Sequence, residues 1–163
     1  MVMKAISNTS PVLFLYRIDA IEIMSVIFSE VLIPHAVTEE IEIAGVEGHK
    51  IPNLKKYSFI TIKEPIHTPA QIQALDLGPG ETSALALALE HRDYIVLLDD
   101  LPARKTAQKA GLKCWGTLRI LLEAKSIHAI AEVAPFIEKL EKSGMWLSDK
   151  IKNRILVLAN ERL

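Results

Sequence analysis

The fold is decided by residues 78–100, which read GPGETSALALALEHRDYIVLLDD. Residues 81–92 are apolar on nearly every side of a helical wheel, which predicts a helix that is covered on most sides. Residues 94–98 form a continuous apolar run of the kind found inside parallel sheets. Asp99 and Asp100 follow this run at once. The stretch therefore predicts a buried helix, then a central parallel strand that ends in two carboxylates.

The carboxylates of this stretch lie where open α/β sheets bind ligands, because that position is at the carboxyl ends of the strands. Glu81 begins the helix, and Asp99 and Asp100 end the strand. Such a cluster is costly to bury without a counter-charge, and a divalent cation is the obvious candidate. Two simpler interpretations stay open: one aspartate can merely cap the next helix, and Glu81 can merely complement the helix dipole.

Strand and helix patterns alternate along the rest of the chain. Strands are predicted at 4–7, 31–34, 58–62, 94–98 and 112–115. Strands that alternate with helices predict a parallel sheet with helices on both faces. The length of 163 residues is that of one domain, so we predict a single domain over 1–163 that ends in a helical segment over 128–163.

Two further polar side chains accompany the carboxylates in this pattern. Asn8 lies on the first strand-to-helix turn, where the hydroxyl of Thr9 or Ser10 is predicted to cap the helix before a proline. Glu40 projects into the middle of an apolar helix face, unless that helix is rotated and Glu40 is a surface residue. The apolar face comprises Ala36, Val37, Ile41, Ile43 and Ala44.

The donor atoms favour one kind of chemistry. Asn8, Glu81 and the two aspartates all fall at strand ends or adjoining helix starts, which a parallel sheet gathers at one edge. Oxygen ligands without histidine or cysteine suit Mg²⁺ or Mn²⁺, ions that clamp phosphate oxygens and activate water. The sequence therefore predicts phosphodiester hydrolysis. Arg104, one turn beyond Asp100, either reaches a phosphate or is simply solvated.

Composition and missing motifs exclude other classes. The five histidines form no close pair, so a zinc site is not expected. The glycine-rich signatures of dinucleotide and nucleoside triphosphate sites are absent. A net charge of −1 gives no overall electrostatic attraction for nucleic acid but leaves local basic patches open. Cys114, the one cysteine, is predicted to be a packed, inert thiol.

No apolar run approaches the roughly 20 residues of a membrane span, and no secretory pattern is visible at the N-terminus. We therefore expect a cytoplasmic protein without a membrane segment.

An ordered set of motifs resembles PIN-domain proteins over nearly the whole chain, and more narrowly their VapC-like branch of predicted nucleic-acid-binding proteins. The motifs are Ser7-Asn8-Thr9-Ser10-Pro11, Ile33-Pro34 with Val37 and Glu40, Gly78-x-Gly80-Glu81-x-x-Ala84, Leu98-Asp99-Asp100 with Ala103-Arg104, Gly116-Thr117-Leu118, and Gly144-Met-Trp-Leu-Ser148. The resemblance implies a three-layer α/β/α PIN-like fold with a mostly parallel sheet of about five strands.

The resemblance also implies a Mg²⁺- or Mn²⁺-dependent endoribonuclease that a small antitoxin protein holds in check. By position, Asn8 replaces the family's first aspartate, and Glu40, Glu81 and Asp100 take the places of its other acids. Asp99 shares or replaces the last role. The predicted metal ligands are thus Asn8, Glu40, Glu81, Asp99 and Asp100, with Glu40, Glu81 and Asp100 catalytic, and Ser10 and Arg104 as substrate-binding candidates.

Asn8 leaves two functional hypotheses open. An amide oxygen still coordinates a cation, but the site loses one negative charge and part of its attraction for a second metal. The first hypothesis is an active ribonuclease with RNA as substrate. The alternative is a catalytically weak or inactive module that binds a protein partner or nucleic acid. Apolar side chains on the early helices support either a homodimer or ordinary core packing: Leu13, Phe14, Ile21 and Met24.

Overall fold

The computed structural model describes residues 2–161. Its strands are β1 (Met3–Ser7), β2 (Phe28–Ile33), β3 (Ile60–Ile62), β4 (Ile95–Leu97) and β5 (Cys114–Trp115). Its helices are α1 (Thr9–Arg17), α2 (Ile23–Ile27), α3 (His35–Val46), α4 (Ala70–Gln73), α5 (Pro79–Glu90), α6 (Leu101–Lys109), α7 (Thr117–Ser126), α8 (Ala134–Lys142) and α9 (Asp149–Leu158). None of the helices in this part of the chain is both long enough and apolar enough to cross a membrane.

The strands form one parallel sheet in the order β3-β2-β1-β4-β5. The chain builds the sheet outward from β1 through β2 to β3, and then returns to the other side of β1 to add β4 and β5. The crevice beyond the carboxyl ends of β1 and β4 is therefore the topological switch point, where open α/β sheets bind ligands. Asn8 follows β1 and Asp99 follows β4, so this crevice receives both side chains.

Both faces of the sheet are covered, which confirms the three-layer α/β/α prediction. Side chains alternate along each strand, so Ala5 and Ile6 point to opposite faces. Ala5 belongs to a core formed with α1, α2, α3, α7 and α8. Ile6 belongs to a second core with α4, α5 and α6. Residues 94–98 are buried throughout, as the apolar run predicted.

The early apolar residues belong mainly to the first core. Leu13 is 7% exposed, Ile21 5% and Met24 0%, and Phe14 packs against them while partly exposed. Ordinary core packing therefore accounts for these side chains. These side chains therefore give no support to a homodimer, which stays a prediction.

The segment 128–163, which is predicted to be helical, contains the two helices α8 and α9. His128 has a φ of 62°, a left-handed conformation that follows the end of α7, and α8 begins at Ala134. The last predicted residues, 162–163, lie outside the described part of the chain.

Glu161 fastens this segment to the body of the protein. Its carboxylate accepts hydrogen bonds from the backbone N–H groups of Val133 (2.7 Å) and Ala134 (2.9 Å), at the start of α8. It also pairs with Lys125 Nζ of α7 at 3.0 Å. Burial alone would raise the pKa of Glu161, but these three donors together lower it. The charged carboxylate therefore stabilises the fold.

We expect Glu161→Ala to lower the free energy of unfolding by about 2–3 kcal/mol, because it leaves two backbone donors and a lysine unpaired. Urea denaturation measures the change, with Glu132→Ala as a control because that side chain is exposed. Since the pKa of Glu161 is lowered in the folded state, its stabilisation is present above the ordinary glutamate pKa of about 4.3 and fades as the pH falls through the lowered value. Equal denaturation midpoints for the two variants at neutral pH would contradict this role.

Candidate active site

Asn8 occupies the first turn after β1, as predicted. Its backbone N–H donates to the carbonyl oxygen of Leu97 (3.1 Å), which joins it to the end of β4. The residue is 6% exposed and precedes α1, but its side chain does not cap that helix. Its Oδ1 atom is buried and accepts no hydrogen bond from any residue within 2–161. This acceptor faces the switch-point crevice without a partner.

Glu40 points toward Asn8 from the second turn of α3. Its Oε1 accepts a hydrogen bond from Thr9 Oγ1, and its Oε2 accepts one from the backbone N–H of Gly80 at 2.9 Å. A Cβ atom on Gly80 would lie 2.5 Å from Glu40 Oε1 and 2.9 Å from Asn8 Oδ1. Because Gly80 has no side chain, Glu40 Oε1 and Asn8 Oδ1 can both approach the backbone at the start of α5.

The orientation of α3 differs in part from the predicted apolar face. Val37 and Ile41 are buried as expected, whereas Ile43 is 58% exposed, so its assignment to that face was wrong. The face is narrower than the sequence pattern indicated. Glu40 is half-buried at its edge nearest the crevice.

Glu81 and Asp100 form a close pair of carboxylates. Glu81 Oε1 accepts from the backbone N–H of Gly78 (3.3 Å), while Glu81 Oε2 is buried and finds no donor in the described structure. Burial, the charge of Asp100, a shared hydrogen bond with Asp100, and the more distant Glu40 raise the pKa of Glu81. Glu81 thus keeps its proton to a higher pH than an isolated glutamate would.

Asp100 is exposed and also begins α6. Its Oδ2 accepts from the backbone N–H of Ala103 (3.2 Å), so the simpler interpretation of an N-terminal helix cap is correct for Asp100. The cap uses one oxygen atom. The cap fixes the carboxylate of Asp100 beside Glu81, with which it shares a hydrogen bond.

Asp99 is held by three hydrogen bonds. Thr117 donates to it through its backbone N–H (2.7 Å) and its Oγ1 (2.8 Å), and Ser10 Oγ donates at 2.8 Å. Asp99 therefore ties the start of α1 and the start of α7 to the end of β4. The prediction that Thr9 or Ser10 caps α1 was wrong, since both hydroxyls donate to carboxylates instead.

Arg104 lies on the Asp99 side of the crevice. Its Nη1 atom is 3.5 Å from a Cβ position on Gly116, next to Asp99 Oδ1, and its Nε atom is buried without a partner in the described structure. It also contacts Cys114, whose pKa burial raises while Arg104 opposes the rise. The raised pKa favours the protonated, unreactive thiol, as predicted for Cys114.

The oxygen atoms of the site suit a hard divalent cation, although the carboxylates do not form one compact cluster. Among residues 2–161, no three Asp, Glu, His or Cys side chains form a group that could hold a metal ion. Asn8 Oδ1 and Glu81 Oε2 are nevertheless buried acceptors without donors, and each such atom costs about 1–3 kcal/mol. A cation satisfies oxygen acceptors that no N–H or O–H group reaches, so the residues present fit Mg²⁺ or Mn²⁺.

The sequence analysis includes three further residues in its motifs but assigns none of them a role in this site. Thr9 and Gly80 hold Glu40, and Thr117 holds Asp99. Thr9 follows Asn8 and Gly80 precedes Glu81 in the chain. This adjacency to predicted ligands was the sequence signal that could have indicated their roles. Thr117 is 18 residues from Asp99, and only the pairing of β4 with β5 brings the two together.

The structure is thus a parallel α/β/α domain with acidic and amide oxygens at the switch point of its sheet, the position where such folds bind ligands. The chain belongs to the PIN-domain family, because a family model described as a PIN domain matches residues 4–161. The PIN domain is a nuclease fold whose members bind nucleic acid. No curated protein matches the chain.

Proposed function

We propose that this protein is a Mg²⁺- or Mn²⁺-dependent endoribonuclease of the VapC-like type. The observation that carries the proposal is the pair of buried, unpartnered oxygen atoms, Asn8 Oδ1 and Glu81 Oε2, at the switch point of a PIN-domain sheet. Glu40 and Asp100 flank them. Membership of a nuclease family supplies the class of reaction, and the donor chemistry supplies the class of cofactor.

The ligands that we propose for the cation are Asn8, Glu40, Glu81 and Asp100. When bound, Mg²⁺ or Mn²⁺ would clamp phosphate oxygens and lower the pKa of the attacking water. Cation binding needs the charged form of Glu81, so it would act against the raised pKa of this group. Thr9 and Gly80 orient Glu40 by donating to its two oxygens, and they hold it near Asn8 at the start of α5.

Asp99 acts as a positioning residue in this proposal rather than as a ligand. Its two oxygens accept three hydrogen bonds, which tie it to both α1 and α7, whereas those of Glu40 accept two. Asp99 fixes the position of the chain that carries Asp100. Ser10 shares that task. Ser10, Asp99 and the half-buried Arg104 line one groove, in which Arg104 offers a cation for the RNA phosphate.

Cleavage of single-stranded RNA by the purified protein tests the proposal. We expect products with Mn²⁺ or Mg²⁺ and none in EDTA. Absence of cleavage with either ion would refute the enzyme and favour a module that only binds. Control by a small antitoxin rests on the resemblance to the VapC-like branch, and co-purification with the product of a neighbouring gene tests it.

The second candidate function, a catalytically weak or inactive binding module, is favoured by the uncharged Asn8. We expect Asn8→Asp to tighten Mn²⁺ binding and to raise cleavage about tenfold or more, because it restores one negative charge beside Glu40. Cleavage rates and Mn²⁺ affinity are measured for both forms, with Asn53→Asp as a control for added charge on the surface. Equal rates for the wild type and Asn8→Asp would show that the missing charge is not what limits activity.

A further inference from the structure

A groove of about 650 Å³ leads away from the proposed site toward the C-terminal segment. It begins at Ser10, Asp99 and Arg104, passes the start of α7, and ends between α9 and the segment 144–147. We refer to it as the C-terminal groove. The segment that closes it carries the Gly144-Met-Trp-Leu motif, for which the proposed chemistry provides no role.

The charge of the C-terminal groove is opposite to that of the whole chain. Its lining includes three arginines, Arg104, Arg119 and Arg154, against one acid, Asp99, so its formal charge is +2 in a protein of net charge −1. Asp99 is already occupied by three hydrogen bonds. Arg104 and Arg154 make no ion pair with a described residue, and the 3.8 Å contact of Arg119 with Glu123 is a weak surface pair. Arg119 and Arg154 are exposed and accessible to phosphate, and the guanidinium of Arg119 also lies over the Trp115 ring, 4.9 Å from its centroid.

Trp146 presents an aromatic face at the far end of the same groove. Its side chain is 82% exposed, while its neighbours Met145 and Leu147 pack against the first core. The anchored neighbours hold the indole at the surface rather than letting it fold inward. An exposed aromatic ring in a groove lined by arginines suits single-stranded nucleic acid, since bases stack on the ring and phosphates contact the cations.

We propose that the C-terminal groove binds the single-stranded RNA on one side of the cleavage position, with a base stacked on Trp146 and phosphates held by Arg119 and Arg154. The choice of RNA as the occupant rests on the proposed function and on the continuity of the groove with Ser10, Asp99 and Arg104. The excess of arginine disfavours a basic or neutral protein segment as the occupant. Trp146 thereby becomes a substrate-positioning residue remote from the chemistry.

Fluorescence anisotropy with a labelled single-stranded RNA of about ten nucleotides tests this groove. The titrations are done in EDTA, so that binding is measured without cleavage. We expect Trp146→Ala to weaken binding about tenfold, Trp146→Phe to retain most of the affinity, and Arg154→Ala to weaken binding and lower its salt dependence by about one phosphate contact. Ile66→Ala, which changes a side chain that is 91% exposed elsewhere, is expected to bind as the wild type does.

The outcomes separate this inference from the proposed function. Weaker binding by Trp146→Ala in a protein that never cleaves RNA would support the groove and refute the enzyme. Cleavage by the wild type with equal RNA affinity for Trp146→Ala and Ile66→Ala would refute the groove and leave the enzyme. A change in oligomeric state on light scattering, without a change in RNA affinity, would assign Trp146 to a protein interface and overturn the inference.

Discussion

Glu81→Gln is expected to reduce Mn²⁺-dependent RNA cleavage at least about a hundredfold, because glutamine keeps the shape of the side chain but removes the charge that the cation needs. Glu81 Oε2 is the buried acceptor that no described donor reaches, and Asp100 lies beside it. Cleavage rates at saturating Mn²⁺ measure the loss. Glu132→Gln is the control, since that side chain is exposed and outside the site.

The same substitution is expected to stabilise the metal-free protein at neutral pH. Burial and the neighbouring carboxylates raise the pKa of Glu81 in the folded state. A raised pKa contributes stability below the unfolded value of about 4.3, and this contribution is lost as the pH rises through the folded value. At pH 7 the charged Glu81 is therefore a cost that glutamine removes, whereas near pH 4 the two proteins should differ little.

Urea denaturation in EDTA at both pH values measures this change in stability. A lower midpoint for Glu81→Gln at pH 7 would show that Glu81 is a structural cap for Gly78 rather than a ligand without its cation. Undiminished cleavage by the variant would remove Glu81 from the site altogether. A higher midpoint together with lost activity is the combination that a metal ligand produces and a structural residue does not.

Gly80→Ala is the second substitution with a large expected effect. Helix propensity alone favours alanine by about 1 kcal/mol, and the backbone of Gly80 is not left-handed. The new Cβ atom would nevertheless lie 2.5 Å from Glu40 Oε1 and 2.9 Å from Asn8 Oδ1. Asn8 is buried and Glu40 is held by hydrogen bonds from Thr9 and Gly80, so the substitution must displace these side chains from their positions. We expect cleavage to fall about a hundredfold and the free energy of unfolding to fall by about 1–3 kcal/mol.

Gly45→Ala is the matched control for this substitution. It also lies in a helix, and its Cβ atom would come equally close, 2.5 Å, to the end of the Ile51 side chain. That flexible apolar end can turn aside, and it is not part of the site. We expect Gly45→Ala to cleave RNA at the wild-type rate. Wild-type activity in Gly80→Ala would contradict the convergence of Glu40 and Asn8 at this glycine.

Most of the fold could be predicted because its signals are local. The apolar run at 94–98 and the helix predicted over 81–92 depend on patterns within a few residues, and they appear as a buried strand and as α5, Pro79–Glu90. Position at a strand end also placed Asn8 and Asp100, because parallel strands bring their carboxyl ends to one edge.

The details of the site were beyond sequence reasoning because they depend on contacts between distant segments. Ser10 and Asp99 are 89 residues apart, and Glu40 and Gly80 are 40 apart, so no periodicity links them. The sequence pattern therefore could not distinguish a ligand from a positioning residue at Asp99. The sequence pattern also could not show that Trp146 is exposed while its neighbours pack, or that it lies in a groove lined by three arginines.

Calorimetric titration of Mn²⁺ into the wild type and into Glu81→Gln tests whether the proposed site binds a cation. We expect saturable binding by the wild type, with a release of protons that grows as the pH is lowered toward the raised pKa of Glu81. We expect Glu81→Gln to lose most of this binding. Absence of binding by the wild type, or equal binding by the two proteins, would contradict a metal centre formed by Asn8, Glu40, Glu81 and Asp100.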